Sequence, residues 1–254
     1  MTPRLLALLV LLIGCKETKT LDGQVVDIWG NPVPEATVVM EGQTTRPSTD
    51  AYGNFSLPLL PGKQKIKAGR DGYIQEHVEV EVVAGEEPPR VIVRLHPKPE
   101  TPGFYVVGKG DYIRLEPEKV YSMGNELASI TGIKAVQARV ESDPFEIVFH
   151  TDLRMDEIMR LGLEMHQLEY KKTAMVPSAL GMDEVKVNLW VSKGEIPVEV
   201  DAMRSRNDYK VTTSETLEPG WYAFHTQDLL DPKEPGVFST VPESLRVAYP
   251  FELR

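Results

Sequence analysis

Apolar residues in this chain recur at every second position over short stretches, and clusters of Gly, Pro, Asn and Asp break the stretches apart. In His77-Val78-Glu79-Val80-Glu81-Val82 the three valines fall on one face of an extended chain. The same reading predicts strands at Gln24–Ile28, Ala36–Glu41, Asn54–Leu57, Lys63–Ala68, Tyr73–Val83 and Arg90–Leu95. The breakers between them are Gly30-Asn31-Pro32, Asp50-Ala51-Tyr52-Gly53, Pro61-Gly62, Asp71-Gly72 and Glu86-Glu87-Pro88-Pro89. Short strands at this spacing predict an antiparallel sandwich over residues 21–96. Gly30 and Gly53 stand where tight turns need a positive φ. Asp27 and Asp50 are placed to cap those turns by accepting backbone N–H groups. Phe55 and Leu57 point together toward a core.

His96-Pro97-Lys98-Pro99-Glu100-Thr101-Pro102-Gly103 is stiff and poor in amide donors. A domain boundary is expected there, with 97–103 as linker and 104–254 as a second β-rich domain. Strands are predicted at Phe104–Val107, Tyr112–Leu115, Phe145–Phe149, Val185–Val191, Tyr209–Thr213, Trp221–His225 and Leu245–Leu253. Gly108-Lys109-Gly110-Asp111 reads as a hairpin loop between the first two. In the last, Leu245, Val247, Tyr249, Phe251 and Leu253 alternate, and Pro250 on the other face argues for an edge strand. Residues 152–172 fit two periods. Ile158, Leu161, Met165 and Leu168 suit a helix, Leu161, Leu163 and Met165 suit a strand, and Gly162 weakens the helix. The expected fold class is mainly β: an antiparallel sandwich, then a second β-rich domain with room for one short helix. No internal repeat is read.

The chain opens differently. Met1–Arg4 is short and positive, and Leu5–Ile13 is an unbroken apolar run. That run is shorter than the about 20 residues a spanning helix needs, and it fits the apolar core of a secretion signal. Leu12-Ile13-Gly14-Cys15 closes it and resembles the lipobox of bacterial lipoproteins. The resemblance implies cleavage after residue 14, lipid on Cys15 and a lipid-bilayer partner. Two or three acyl chains anchor durably where one is marginal. Cys15 is the chain's one cysteine, which leaves no intramolecular disulfide and gives the thiol a purpose. Lys16 follows where enteric lipoproteins retained at the inner membrane resemble one another in carrying Asp, so an outer-membrane location in the cell envelope is expected. Residues 15–20 form a tether, and the five residues after Cys15 reach about 18 Å when extended.

Charge narrows the partners. The chain carries a formal −10, or −11 once Arg4 leaves with the signal. Such a surface repels phosphates and gains nothing from anionic head groups, which excludes nucleic acid as a natural partner. Membrane attachment must therefore be apolar.

Residues 23–73 resemble the carboxypeptidase regulatory-like domain, a small transthyretin-like β-sandwich. The matching residues are Gly23, Val25, Asp27, Gly30, Pro32, Pro34, Ala36 and Val38, then Thr49-Asp50, Gly53, Phe55, Leu60-Pro61-Gly62 and Gly72-Tyr73. Trp29 departs from the pattern. Leu217-Glu218-Pro219-Gly220-Trp221-Tyr222-Ala223 resembles a turn-and-strand of several bacterial envelope β-domains.

Candidate chemistry is sparse. His166-Gln167-Leu168-Glu169 is similar to the first half of the metallocarboxypeptidase zinc site, and its spacing puts both side chains on one face of a helix. With His225 or His150 as third ligand it supports an alternative reading as a divergent zinc hydrolase. The stretch is short and β-rich for such an enzyme, so no metal, cofactor or catalytic residue is assigned. There is no Gly-x-Ser-x-Gly elbow, no calcium loop and no phosphate loop. The tryptophans offer more. In Val185–Val191, Val185, Val187, Leu189 and Val191 make the apolar face, which turns Trp190 toward Lys186, Asn188 and Ser192. Core pairing of Tyr222 with Phe224 turns Trp221 outward, and Trp29 lies in a turn. Trp190, Trp221 and Trp29 are the candidate binding surface. The expected function is that of an anchored envelope protein, not an enzyme, which binds a glycan or partner protein or braces an assembly. A structural spacer or assembly factor is the remaining alternative.

Overall fold

The computed structural model describes residues 20–124, 129–141, 145–178, 181–234 and 236–254. The expected signal, Cys15 and the expected tether up to Lys19 lie outside the described residues. The chain divides into two compact units. One holds the chain up to Arg70 with Glu76–Leu95, and the other holds Asp71–Gln75 with His96–Arg254.

The first unit is a β-sandwich. Strands β3 (Asn54–Pro58), β1 (Thr20–Asp27) and β7 (Val91–Pro97) form one sheet, and β2 (Thr37–Met40), β4 (Gly62–Gly69) and β6 (Glu76–Val82) form the other. Alternation sets the faces: Leu21, Val25, Val38, Met40, Phe55, Leu57, Ile66, Val93 and Leu95 are all buried. Most pairs are antiparallel, but β1 and β7 run parallel, with Val25 opposite Val93. The turns use the expected aspartates. Asp27 Oδ1 accepts the N–H groups of Trp29 at 2.9 Å and Asn31 at 2.8 Å. Asp50 Oδ1 accepts those of Tyr52 at 2.9 Å and Asn54 at 2.8 Å. The expected strand Tyr73–Val83 is split. β5 (Tyr73–Ile74) pairs with His96 and Pro97 at the end of β7, and Gln75 bridges Arg204. Within the proline-rich stretch, the N–H of Lys98 bonds the Gly72 carbonyl at 2.8 Å.

The second unit has two sheets. One runs β16 (Val198–Ala202), β17 (Asp208–Thr213), β13 (Ile147–His150), β8 (Gly103–Val107), β9 (Tyr112–Leu115). The other runs β10 (Glu118–Gly124), β11 (Ser129–Ile133), β15 (Gly181–Ile196), β14 (Leu163–Ser178), β18 (Gly220–Thr226), β19 (Val247–Leu253), β12 (Ala138–Val140). β10 also pairs with β19, through Glu118–Ala248 and Lys119–Val247. That contact closes six strands into a small barrel. Each strand sends a residue into one cluster: Val120, Ile133, Trp190, Leu168, Ala223 and Ala248. Leu229, Leu230, Val241 and Phe238, from the segment before β19, pack into the same cluster. That segment includes the short helix α2 (Val237–Thr240) and a 3-10 turn at Glu243–Leu245. The opposite face of β14, β18 and β19 presents Met165, Tyr222, Phe224, Phe251 and Leu253 to Phe104, Val106, Leu115, Ile147 and Val211 of the five-stranded sheet.

The ambiguous segment uses both periods in turn. Helix α1 (Met155–Leu161) begins where Glu157 Oε2 accepts the Arg154 N–H at 2.9 Å, and it ends at Gly162, which takes φ 61°. β14 starts at the next residue. The expected edge role of Pro250 is corrected: β19 lies inside the sheet, between β18 and β12. On the side away from β18, β10 pairs with residues 247–248 and β12 with 251–253. Pro250 falls in the gap between those partners, where a missing N–H costs no ladder bond. Leu245 is not in the strand; it closes the 3-10 turn and is exposed. Among the described residues, no helix is long and apolar enough to cross a membrane.

Candidate functional site

Two groups of side chains line the interior face of the barrel, separated by its apolar middle. Period-two alternation places them. Along β14 the interior positions are Glu164, His166, Leu168 and Tyr170, and along β18 they are Trp221, Ala223 and His225. β15 contributes Trp190 and Ser192. Leu168, Ala223 and Trp190 form part of the apolar cluster.

At one end the aromatic residues gather. The rings of Trp190 and Trp221 lie 4.8 Å apart at 37°, and those of Tyr170 and Trp190 lie 5.4 Å apart at 59°. Trp221 is 40% exposed and Tyr170 46% exposed, while Trp190 is half-buried. Tyr170 Oη lies 3.4 Å from Asn188 Oδ1. The expected polar face of β15 is thus the barrel interior at its mouth, and Trp190 is packed rather than free. The opposite face, Val187, Leu189 and Val191, is buried with Tyr121, Met123 and Ile130. The two tryptophans are not on adjacent strands, since β14 runs between them; their rings meet over it. Trp29 belongs to the first unit; the pair that the second unit brings together is Trp190 and Trp221. Tyr170 takes the third place, and the period-two count from Leu168 could have found it.

At the other end, the helix reading of His166 and Glu169 is corrected. On a strand, residues three apart face opposite ways, and Glu169 instead pairs with Lys171 at 2.9 Å. His166 and His225 do come together, with ring centroids 4.7 Å apart. The carboxylate beside them is Glu164, two residues before His166 and directly across from His225. Its Oε2 lies 3.4 Å from His166 Nε2 and 3.7 Å from His225 Nε2. The three ligating atoms all fall within 4.8 Å of one another. His166 Nδ1 lies 2.7 Å from Ser192 Oγ. Both rings are buried, and among the described residues neither nitrogen of His225 has a hydrogen-bond partner. Burial holds His225 down at about 3, with the His166 imidazole acting the same way and the Thr226 backbone opposing. The signal for this trio is Glu-x-His on a strand, which a helix-based search passes over.

The other histidine considered as a ligand, His150, is engaged elsewhere. Its Nδ1 lies 2.7 Å from Asp208 Oδ1, and Ser205 donates to Oδ2 of the same carboxylate. Serine and histidine meet on the aspartate rather than on each other, so this network forms no nucleophile–base pair.

Comparison with known proteins bears on the first unit. Residues 20–96 match the family model of the carboxypeptidase regulatory-like domain. The chain carries that domain. No curated protein matches the chain. Among solved structures, an aspartate-to-alanine variant of BcpA, the major pilin subunit of Bacillus cereus, matches with 11% identity and a TM-score of 0.25, covering 92% of this chain and 67% of the pilin. BcpA itself matches with 9% identity and a TM-score of 0.22, covering 92% and 68%. Likeness at that level carries no argument about fold or function.

Proposed function

We propose that this chain is a lipid-anchored, non-catalytic protein of the cell envelope that binds a glycan at the aromatic mouth of its barrel. The observation behind this reading is the contiguous Tyr170–Trp190–Trp221 group, with two of its rings exposed. Leaving part of an indole in water forgoes burial energy of about 1.5–3 kcal/mol for a full side chain, which a covering ligand recovers. Tilted rings offer a cupped apolar floor. Asn188 and the Tyr170 hydroxyl supply polar groups beside it, as the mixed faces of a sugar require. The anchor is lipid on Cys15, supported by the lipobox and by a net charge that does not favour attachment through anionic head groups. With Lys16 after the cysteine, an outer membrane suits the chain in a two-membrane host.

Retention on insoluble cell-wall glycan tests the reading. The native chain should be retained and Trp221→Ala should bind about ten-fold more weakly or worse, with Tyr170→Ala affected the same way and both variants folded. Trp190→Ala is less informative because that ring also packs the barrel. Equal retention of all forms, or capture of a protein partner alone, sinks the glycan reading.

A further inference from the structure

The end of the barrel opposite the aromatic mouth carries a second site. We propose that Glu164, His166 and His225 bind a zinc-class divalent cation that ties β14 to β18. Four observations support it, independently of the glycan reading. The first is placement: Glu164 and His166 alternate on one face of β14, and His225 is the cross-strand partner of Glu164. Three ligands of two types suited to zinc, one carboxylate and two imidazoles, therefore occupy three neighbouring positions on a rigid sheet.

The second is distance. Zinc–ligand bonds of about 2.0–2.1 Å at tetrahedral angles set ligand atoms about 3.3–3.5 Å apart. Glu164 Oε2 already stands 3.4 Å from His166 Nε2 and 3.7 Å from His225 Nε2. Closing the remaining span, within 4.8 Å, needs only small ring rotations.

The third is unmet polarity. His225 is 1% exposed, and among the described residues neither of its nitrogens has a hydrogen-bond partner. A buried polar ring without partners is costly and calls for an explanation. A cation on Nε2 supplies one.

The fourth is orientation. Ser192 Oγ holds His166 Nδ1 at 2.7 Å and leaves Nε2 facing Glu164. A ligating histidine characteristically rests its other nitrogen on such a partner, and a hydroxyl can accept the Nδ1 proton. The rim carries Lys233, whose ammonium is stabilised by Asp228, then Glu164 and Glu195. Asp228 lies closest, at 3.7 Å. Lys233 is thus mainly engaged by Asp228, leaving Glu164 for the cation. The Glu164 side chain is 17% exposed, which opens the site on that side.

The test uses the whole chain in detergent, purified without a polyhistidine tag and stripped with chelator. Cobalt(II) serves as the visible probe and zinc(II) as its competitor. One cobalt per chain should bind with a tetrahedral absorption spectrum lacking thiolate bands, zinc should displace it, and zinc should raise the melting temperature. Glu164→Gln keeps size and hydrogen bonding at the rim, so it should fold, which circular dichroism checks; cobalt binding should be lost. Ser192→Ala should weaken binding by roughly 10- to 100-fold. His225→Asn should also abolish binding, but Glu164→Gln decides the matter if that variant misfolds. Failure of the native chain to take up cobalt or zinc overturns the proposal. So does binding that survives Glu164→Gln, or that shows thiolate bands from Cys15.

Discussion

Asp27 and Asp50 do the same work in two turns. Each opens an Asp-x-aromatic-Gly-Asn sequence, Asp27–Asn31 and Asp50–Asn54, and each carboxylate gathers the N–H groups two and four residues on. The bonds from Asn54 hold the pKa of Asp50 below its ordinary value, because they favour its charged form. These roles were legible in the residues alone, since turn chemistry is local. Their surroundings were not. Gly30 takes φ 89° with open space around an added methyl group, whereas Gly53 takes φ 75° with the Val25 carbonyl oxygen only 2.4 Å from where a Cβ would sit. Gly30→Ala should therefore cost about 1 kcal/mol, the left-handed penalty alone. Gly53→Ala should cost about 3 kcal/mol or more, because a backbone oxygen cannot step aside as a flexible side chain could. Urea denaturation of both variants separates the terms, and equal losses would remove the steric one.

At the scale of elements, periodicity found strands such as β7, which buries every second residue from Val91 to Leu95, and missed β10, β11, β12 and β16. β16 buries none of its residues, and β12 is three residues long. In 152–172 both periods were present because both elements are, joined at Gly162. Pro250 was misread because a strand can be interior and still have a local gap beside it. The His166–Glu169 pair was misread because its spacing has meaning only on a helix. Long-range ties between elements were invisible too. His96 at the end of β7 lies 2.8 Å from Glu146 just before β13, and Lys210 of β17 reaches the same carboxylate at 3.2 Å. The His96 hydrogen bond, then Lys210, hold Glu146 below its ordinary 4.5. A carboxyl whose folded value is depressed binds protons more readily when unfolded. Its stabilisation is therefore complete above 4.5 and is lost as pH falls below that through the folded value. Glu146→Gln should lower stability at neutral pH and flatten the acid-side decline as pH falls below about 4.5. Urea midpoints measured across that range check it; parallel curves for the two proteins would show that Glu146 does not carry the acid dependence.

At the scale of the whole chain, the regulatory-like domain was legible from turn and core residues in order, while closure of the barrel was not. Closure rests on two residue pairs between β10 and β19, with Lys119 Nζ reaching Glu243 Oε1 at 2.6 Å across 124 residues of sequence. No window of sequence contains both sides of that contact. The chain also passes between its two units three times, at Arg70–Asp71, Gln75–Glu76 and Leu95–His96, an arrangement that short-range pattern does not encode. What the sequence does carry at this scale is the balance of charge against anchorage. A protein of formal charge −10 gains nothing overall from anionic lipid, so its net charge does not favour ionic attachment to a bilayer. If acyl chains on Cys15 hold it, attachment is apolar and indifferent to screening. One chain gives only marginal binding, and two or three give a durable anchor. The native protein should stay in the membrane fraction through a high-salt wash and enter the detergent phase on temperature-induced phase separation. Cys15→Ser should move it to the aqueous phase with the barrel intact, as judged by the fluorescence of Trp190 and Trp221. Release of the native protein by salt would mean that a charged partner, not lipid, holds it, and detergent partitioning unchanged by Cys15→Ser would place the anchor outside the lipobox.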